Sequence, residues 1–207
     1  MLFRSRLYAF DVSESRLKKF SPRLKRSGLS NVHAVRIANE NDLKIKRLSG
    51  KMDRVLVDAP CSGLGTLRRN PEIKWRQLPE HIAELSIKQG NILAGAARMV
   101  KPGGRLVYAT CSVLAAENEE IVRAFLLRHS EFKLMRADEI IKQAGIEIPD
   151  SGGEFLVLRP HRHGTDGFFA AVMQRSAVEK EAGGKAASGE AALEQAASAK
   201  VASEAAA

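Results

Sequence analysis

Apolar positions in this chain recur every second residue in some stretches and every third or fourth in others, which divides it into strands and helices. "RLYAFDVS" over 6–13 reads as a strand ending in Asp11. Ser13 is placed to cap a helix over 14–27 that stops at Gly28. "NVHAVRI" over 31–37 is a second strand and "DRVLVD" over 53–58 a third, apolar between charged ends as expected of a parallel strand covered on both faces. From Pro79 to Val100 the residues Ile82, Leu85, Ile92, Leu93, Ala96, Met99 and Val100 follow helical spacing, and "KPGG" at 101–104 ends the run. "RLVYAT" over 105–110 is a fourth strand. The helix after it carries Glu117, Glu119 and Glu120 in its first turn, where the helix dipole favours acids. "FLVLRP" over 155–160 and "GFFAAVMQR" over 167–175 close the pattern as two strands around a glycine- and histidine-containing segment. Strands alternating with long helices predict an α/β fold with a mostly parallel sheet, and the last two strands predict an antiparallel C-terminal edge.

Composition narrows the class. The chain has 207 residues, 44% of them hydrophobic, enough for one domain with a substantial core. No apolar run approaches the roughly 20 residues of a bilayer span, and no signal-peptide pattern is present. Two cysteines without a CxxC pair argue against a structural metal and fit a reducing cytosol, where thiols stay free. A monomer is expected. Net charge is +9, unevenly spread: Glu179 to Ala207 holds five glutamates and three lysines, leaving +11 on the rest. Residues 177–207, rich in alanine and poor in large apolar groups, are expected to be a disordered tail, and 1–176 the folded catalytic domain.

The cysteines sit where an α/β sheet places chemistry. Ligands of such sheets bind at the carboxyl ends of the strands. Asp58 and Cys61 follow the third strand, Cys111 follows the fourth, and Asp11 ends the first, so all four are expected along one rim. A lone cysteine is more commonly a small buried hydrophobe. Two of them, each just past a strand end and each in a "CS" dipeptide, point to chemistry. Arg68, Arg69, Lys74 and Arg76 directly follow Cys61 and suit a polyanion such as RNA. The cations of 16–26 read equally well as a solvated helix face. Trp75 offers a face for base stacking against the commoner use of a lone tryptophan in packing. His161 and His163 flank Arg162 in a loop, with no further ligand to suggest a metal.

"DAPCSGLGTLRRNPEIKW", "LVYATCSVLAAENEEIV" and "DGFFAAVMQR" together resemble the motifs of the RNA cytosine-C5 methyltransferases of the RsmB/NOP/Sun type, in consistent order from about Tyr8 to Arg175. The resemblance implies a Rossmann-like methyltransferase fold, S-adenosylmethionine as methyl donor, and RNA as substrate, ribosomal RNA before transfer RNA. It makes Cys111 the nucleophile that adds to carbon 6 of cytosine, activating carbon 5 for methylation. It gives Cys61 the release of the product and places Asp58 where cofactor and cytosine meet. Asp11 matches the residue that bonds the ribose hydroxyls. Asn39, within the run Asn39, Glu40, Asn41 and Asp42, falls near the adenine contact, where the family usually has an aspartate. The family's first strand and its glycine-rich cofactor loop are missing, which predicts unpaired edges on the neighbouring strands and an N-terminally truncated enzyme. The alternative is an RNA-binding fragment without catalysis. A DNA cytosine methyltransferase, whose nucleophile is the proline-cysteine cysteine, is disfavoured by the second cysteine in "ATCS".

Overall fold

The computed structural model describes residues 5–150 and 153–177. The expected tail lies, from 178 onward, outside them. In chain order the strands are β1 (Leu7–Asp11), β2 (Val32–Arg36), β3 (Met52–Asp58), β4 (Val100–Thr110), β5 (Phe132–Met135), β6 (Leu156–Leu158) and β7 (Phe168–Arg175). The helices are α1 (Glu14–Ser27), α2 (Leu43–Lys46), α3 (Ile73–Arg76), α4 (Pro79–Ala97), α5 (Glu119–Arg128), α6 (Ala137–Gln143) and α7 (Pro160–His163).

The start of the chain follows its local signals. Ser13 caps α1 by accepting the Arg16 N–H, and Gly28 ends the helix in the left-handed conformation, φ 68°, where a side chain would be strained. β1 and β2 pair in parallel as a two-stranded sheet. β3 and β4 pair in parallel within a second sheet of order β3-β4-β7-β5, with β6 also on β7. Among the described residues β1 pairs only with β2, and β3 with β4 alone, leaving an edge of each sheet unpaired, as the resemblance predicts. They are joined through α4 instead. Arg98 reaches the Glu40 carbonyl and Asn41, and a Cβ on Gly95 would press on that same carbonyl.

The antiparallel side is built around β7, which pairs with β4 on one side and with β5 and β6, end to end, on the other. "FKLM" at 132–135 is too short to stand out as a strand from its own pattern, and it takes the outer position because β7 offers it a ladder. "KPGG" lies inside β4, not before it. The strand starts at Val100 and bulges opposite Asp53, which pairs with Lys101, before the ladder resumes at Arg54 and Arg105.

Burial corrects the expectation that β3 is covered on both faces. Val55 and Val57 are buried, whereas Leu56 between them is 69% exposed. Their partners Leu106 and Tyr108 are buried on the same face, where Leu93 and Ala96 of α4 and Val122 and Phe125 of α5 join one core. A strand packed on one face needs apolar residues only at alternate positions, so Leu56 is apolar without being core.

Candidate active site at two thiol-bearing turns

Cys61 and Cys111 lie 50 residues apart in sequence, yet their sulfurs are 3.4 Å apart, within hydrogen-bonding distance. Parallel pairing of β3 and β4 brings them together, because Asp58 stands beside Ala109 and both chains then turn at the same rim. The turns are held tightly. The Gly65 N–H donates to the Cys111 carbonyl at 2.9 Å, and the Gly167 N–H donates to the Gly65 carbonyl at 2.8 Å. A Cβ on Gly65 would strike the carbonyls of both Cys111 and Gly167, so three segments converge on a point that admits only glycine.

A buried polar network lies beneath the sulfurs. Ser62 and Ser112, the residues after the two cysteines, are 3% and 1% exposed, and Glu117 is 0% exposed. Glu117 Oε2 accepts both serine hydroxyls at 2.5 Å, while Oε1 accepts the Ser62 N–H at 2.8 Å and Gln89 Nε2 at 3.0 Å. All four partners are donors, the set that a carboxylate, which offers only lone pairs, can satisfy. Gln89 also donates to the Pro60 carbonyl, and Asn118 donates to the Ser112 carbonyl while accepting from Thr110. Glu117 thus lies in a tight 3₁₀ turn over Ala115–Glu117 with its side chain turned inward, and α5 begins only at Glu119. Sequence reasoning placed Glu117 in the first turn of the helix, as an acid favoured by the helix dipole; its place before α5 and its inward bonds to both serines were not read from the sequence.

The two thiols differ in ionisation. The hydrogen bond from the Cys61 S–H holds the Cys111 thiol down to about 7, against burial and the negative charges of Asp58 and Glu117, which oppose its ionisation. Cys61, as the donor in the same contact and half-buried, is pushed well above its ordinary value. The arrangement can therefore present one thiolate beside one thiol that retains its proton.

The remaining predicted residues are more scattered. Asp58 is exposed at the end of β3, close enough for its charge to act on Cys111. Asp11 ends β1 and Asn39 lies in the loop after β2, and neither shares a hydrogen bond with the thiol turns among the described residues. Burial pushes the Asp11 carboxyl up, but the Ser13 N–H and Arg16 outweigh it and hold the group below its usual range. Asn39 Oδ1 accepts the Asn41 N–H at 2.8 Å. Its neighbours are committed: Asp42 bonds Ala38 and Lys44 N–H groups, and Asn41 holds Arg98.

The donor set fits one end of S-adenosylmethionine. Asp11 and Asn39 offer acceptors after parallel strands, suited to ribose hydroxyls and an adenine amino group. Among the described residues no glycine-rich loop of backbone donors follows a strand to meet the methionine carboxylate.

The cations after Cys61 are exposed, and two are tethered. Arg68 donates to the Gly164 carbonyl at 3.3 Å, Arg69 pairs with Asp166 at 3.0 Å, Lys74 lies 5.4 Å from the Trp75 ring centroid, and Arg76 is exposed. Trp75 is 82% exposed, which removes its packing role, because α3 is too short to press it into the core. His163 is in α7 and not in a loop: it accepts the Arg159 N–H at 2.8 Å and reaches the Pro149 carbonyl at 2.8 Å, which commits both ring nitrogens. Among the described residues no group of three or more potential metal ligands occurs, and no helix is long and apolar enough to cross a membrane.

Comparison with known proteins agrees with this arrangement. The chain is 38% identical over 173 residues to a probable ribosomal RNA small subunit methyltransferase B of Synechocystis sp., covering 82% of this chain and 37% of that protein. It is 39% identical over 168 residues to ribosomal RNA small subunit methyltransferase B of Photorhabdus laumondii, covering 81% and 36%. The chain thus spans a little over a third of the length of the curated relatives it matches. Among solved structures, NSun6 from Pyrococcus horikoshii with SFG, an S-adenosylmethionine analogue, superposes with a TM-score of 0.68 at 30% identity, covering 83% of this chain and 41% of that one. A methyltransferase homolog from the same organism gives 0.65 at 30%, covering 83% and 53%. The model of the family described as 16S rRNA methyltransferase RsmB/F matches residues 1–174, and with paired thiols at the ends of β3 and β4 the chain belongs to that S-adenosylmethionine-using family.

Proposed function

We propose that the chain carries the catalytic thiols of an S-adenosylmethionine-dependent methyltransferase that modifies carbon 5 of cytosine in RNA, ribosomal RNA first. The observation that carries this reading is the 3.4 Å contact between Cys61 and Cys111, with Cys111 as the more acidic thiol. Carbon 5 of cytosine is a poor nucleophile. Addition of the Cys111 thiolate to carbon 6 forms a C–S bond and moves the ring's double-bond electrons toward carbon 5. When bound, S-adenosylmethionine supplies an electrophilic methyl group on sulfonium. Asp11 would hold its ribose, Asn39 its adenine, and Asp58 would face the meeting point of cofactor and base. Release then needs a base to take the carbon 5 proton; the electrons of that C–H bond re-form the ring double bond as the C–S bond breaks and its electrons leave with sulfur as the Cys111 thiolate. Cys61 faces Cys111 and is assigned to that stage. Arg68, Arg69, Lys74 and Arg76, with the exposed Trp75, form the RNA-facing side next to the thiols.

The test is adduct trapping. Cys61→Ala incubated with ribosomal RNA and S-adenosylmethionine should accumulate a protein–RNA species that survives denaturing electrophoresis, and Cys111→Ala should accumulate none. An adduct that persists in Cys111→Ala overturns the assignment. A second reading, an RNA-binding fragment without catalysis, is favoured by the cofactor end, where β1 and β3 each keep an unpaired edge among the described residues. Titration calorimetry separates the two: micromolar S-adenosylmethionine binding by this chain supports catalysis, and no binding alongside retained RNA affinity supports the fragment.

A further inference from the structure

Glu117 is the point at which the two thiol-bearing turns meet. Its Oε2 takes the hydroxyls of Ser62 and Ser112 at 2.5 Å each, those hydroxyls lie 3.3 Å apart, and each belongs to the residue immediately after a cysteine. Its Oε1 takes the Ser62 N–H and Gln89, which in turn holds the Pro60 carbonyl just before Cys61. The side chains of Ser62, Gln89, Ser112 and Glu117 are all buried. A buried carboxylate loses much when any donor withdraws, so the four bonds fix both turns against one another. We propose that Glu117 is a positioning residue for the thiol pair: through Ser62 and Ser112 it holds Cys61 at the distance and angle needed to donate its S–H to Cys111. The catalytic meaning of this clamp rests on the reading of Cys111 as nucleophile; the clamp itself does not.

Charge and geometry act in opposite directions here, which makes the proposal testable. The groups facing Cys111 are Cys61, Asp58 and Glu117, and the negative charge of Glu117 by itself disfavours the Cys111 thiolate. Glu117→Gln preserves the contacts: its carbonyl keeps the Ser62 N–H and Gln89, and its amide can donate to the two serine hydroxyls, which rotate to accept. Glu117→Ala removes charge and contacts together, and Ser62→Ala and Ser112→Ala each remove one hydroxyl bond from a turn to Glu117.

Two readouts need neither RNA nor methyl donor. The first is the pH at which Cys111 alkylation by iodoacetamide is half-maximal, read site by site by mass spectrometry. The second is ring closure with oxidised glutathione. One thiolate displaces a first glutathione to form a mixed disulfide, and the other thiolate displaces a second, so the two thiols become one disulfide and the oxidant leaves as two reduced molecules. Closure from the mixed disulfide reports how well the sulfurs are held together. The expected result is closure slowed about tenfold or more in Glu117→Ala and in each serine variant, with the alkylation midpoint moved up, because the Cys61 hydrogen bond is the larger influence. Glu117→Gln should close within about threefold of the parent, with its midpoint moved down. Circular dichroism and thermal melting set the temperature at which every variant is folded; should Glu117→Ala not fold, the serine variants decide. Parent-like closure and midpoints in those folded variants overturn the clamp. Displaced values together with an RNA adduct that does not depend on Cys111 uphold it and overturn the nucleophile assignment instead.

Discussion

Ser62 reaches Glu117 across 55 residues of chain and both are buried, whereas the side chains of Asp11 and Asn39 bond partners no more than five residues away and lie nearer solvent. The side chains of the thiol turns are held by buried tertiary contacts; Asp11 and Asn39 are held by capping and turn bonds of their own segments, with Arg98 the long-range tie to the loop after β2. Long-range buried hydrogen bonds are costly to break singly because each leaves an orphaned partner, while exposed local ones exchange readily with water. The proposed function would gain from this division, because reacting sulfurs would need a fixed separation while a rim that admits a ligand needs less rigidity.

The division predicts a graded set of responses. Gly65→Ala is the most damaging, at about 3 kcal/mol of stability measured by denaturant unfolding, because the added methyl meets backbone carbonyls that cannot move independently. Gln89→Ala follows at about 2 kcal/mol, since it strips a donor from both the Pro60 carbonyl and Glu117. Cys61→Ala should leave the fold intact but change the titration of Cys111. In the parent, alkylation falls as pH drops through about 7, where the thiolate takes up its proton. Without the Cys61 donor, burial and the charges of Asp58 and Glu117 favour the thiol against a backbone hydrogen bond alone, so half-maximal alkylation should move up from about 7. A midpoint still near 7 would mean that some other group holds the thiolate. On the local side, Ser13→Ala should cost about 1 kcal/mol through the lost cap of α1, read as a lower melting temperature. Arg16→Ala should be smallest, under about 0.5 kcal/mol, because its partner contact with Asp11 is largely solvated. A reversal of this order, with the α1 cap outranking Gly65 or Gln89, would remove the distinction between the two regions.

The elements that pattern revealed are those whose signals are local. Ser13 and Gly28 bracket α1 because a capping hydroxyl and a glycine at φ 68° act within one turn. The ends of β3 and β4, with a cysteine after each, were legible from alternation and from the "CS" repeat, and so was the parallel pairing that brings them to one rim. The exposure of Leu56 was not legible, since an apolar residue in a strand says nothing about which face is covered. Nor was the strand at 132–135, whose four residues become a strand only because β7 lies beside them.

By itself the sequence determined the α/β class, the family motifs, the rim on which both cysteines stand and the basic stretch after Cys61, because each follows from short-range spacing or a contiguous motif. Only the tertiary structure decided that the sulfurs lie 3.4 Å apart, that this contact favours Cys111 as the more acidic thiol, and that Glu117 turns inward to bind both serines. Those outcomes depend on distances between groups that are tens of residues apart in sequence, and burial magnifies their energies in ways that no residue's own type records.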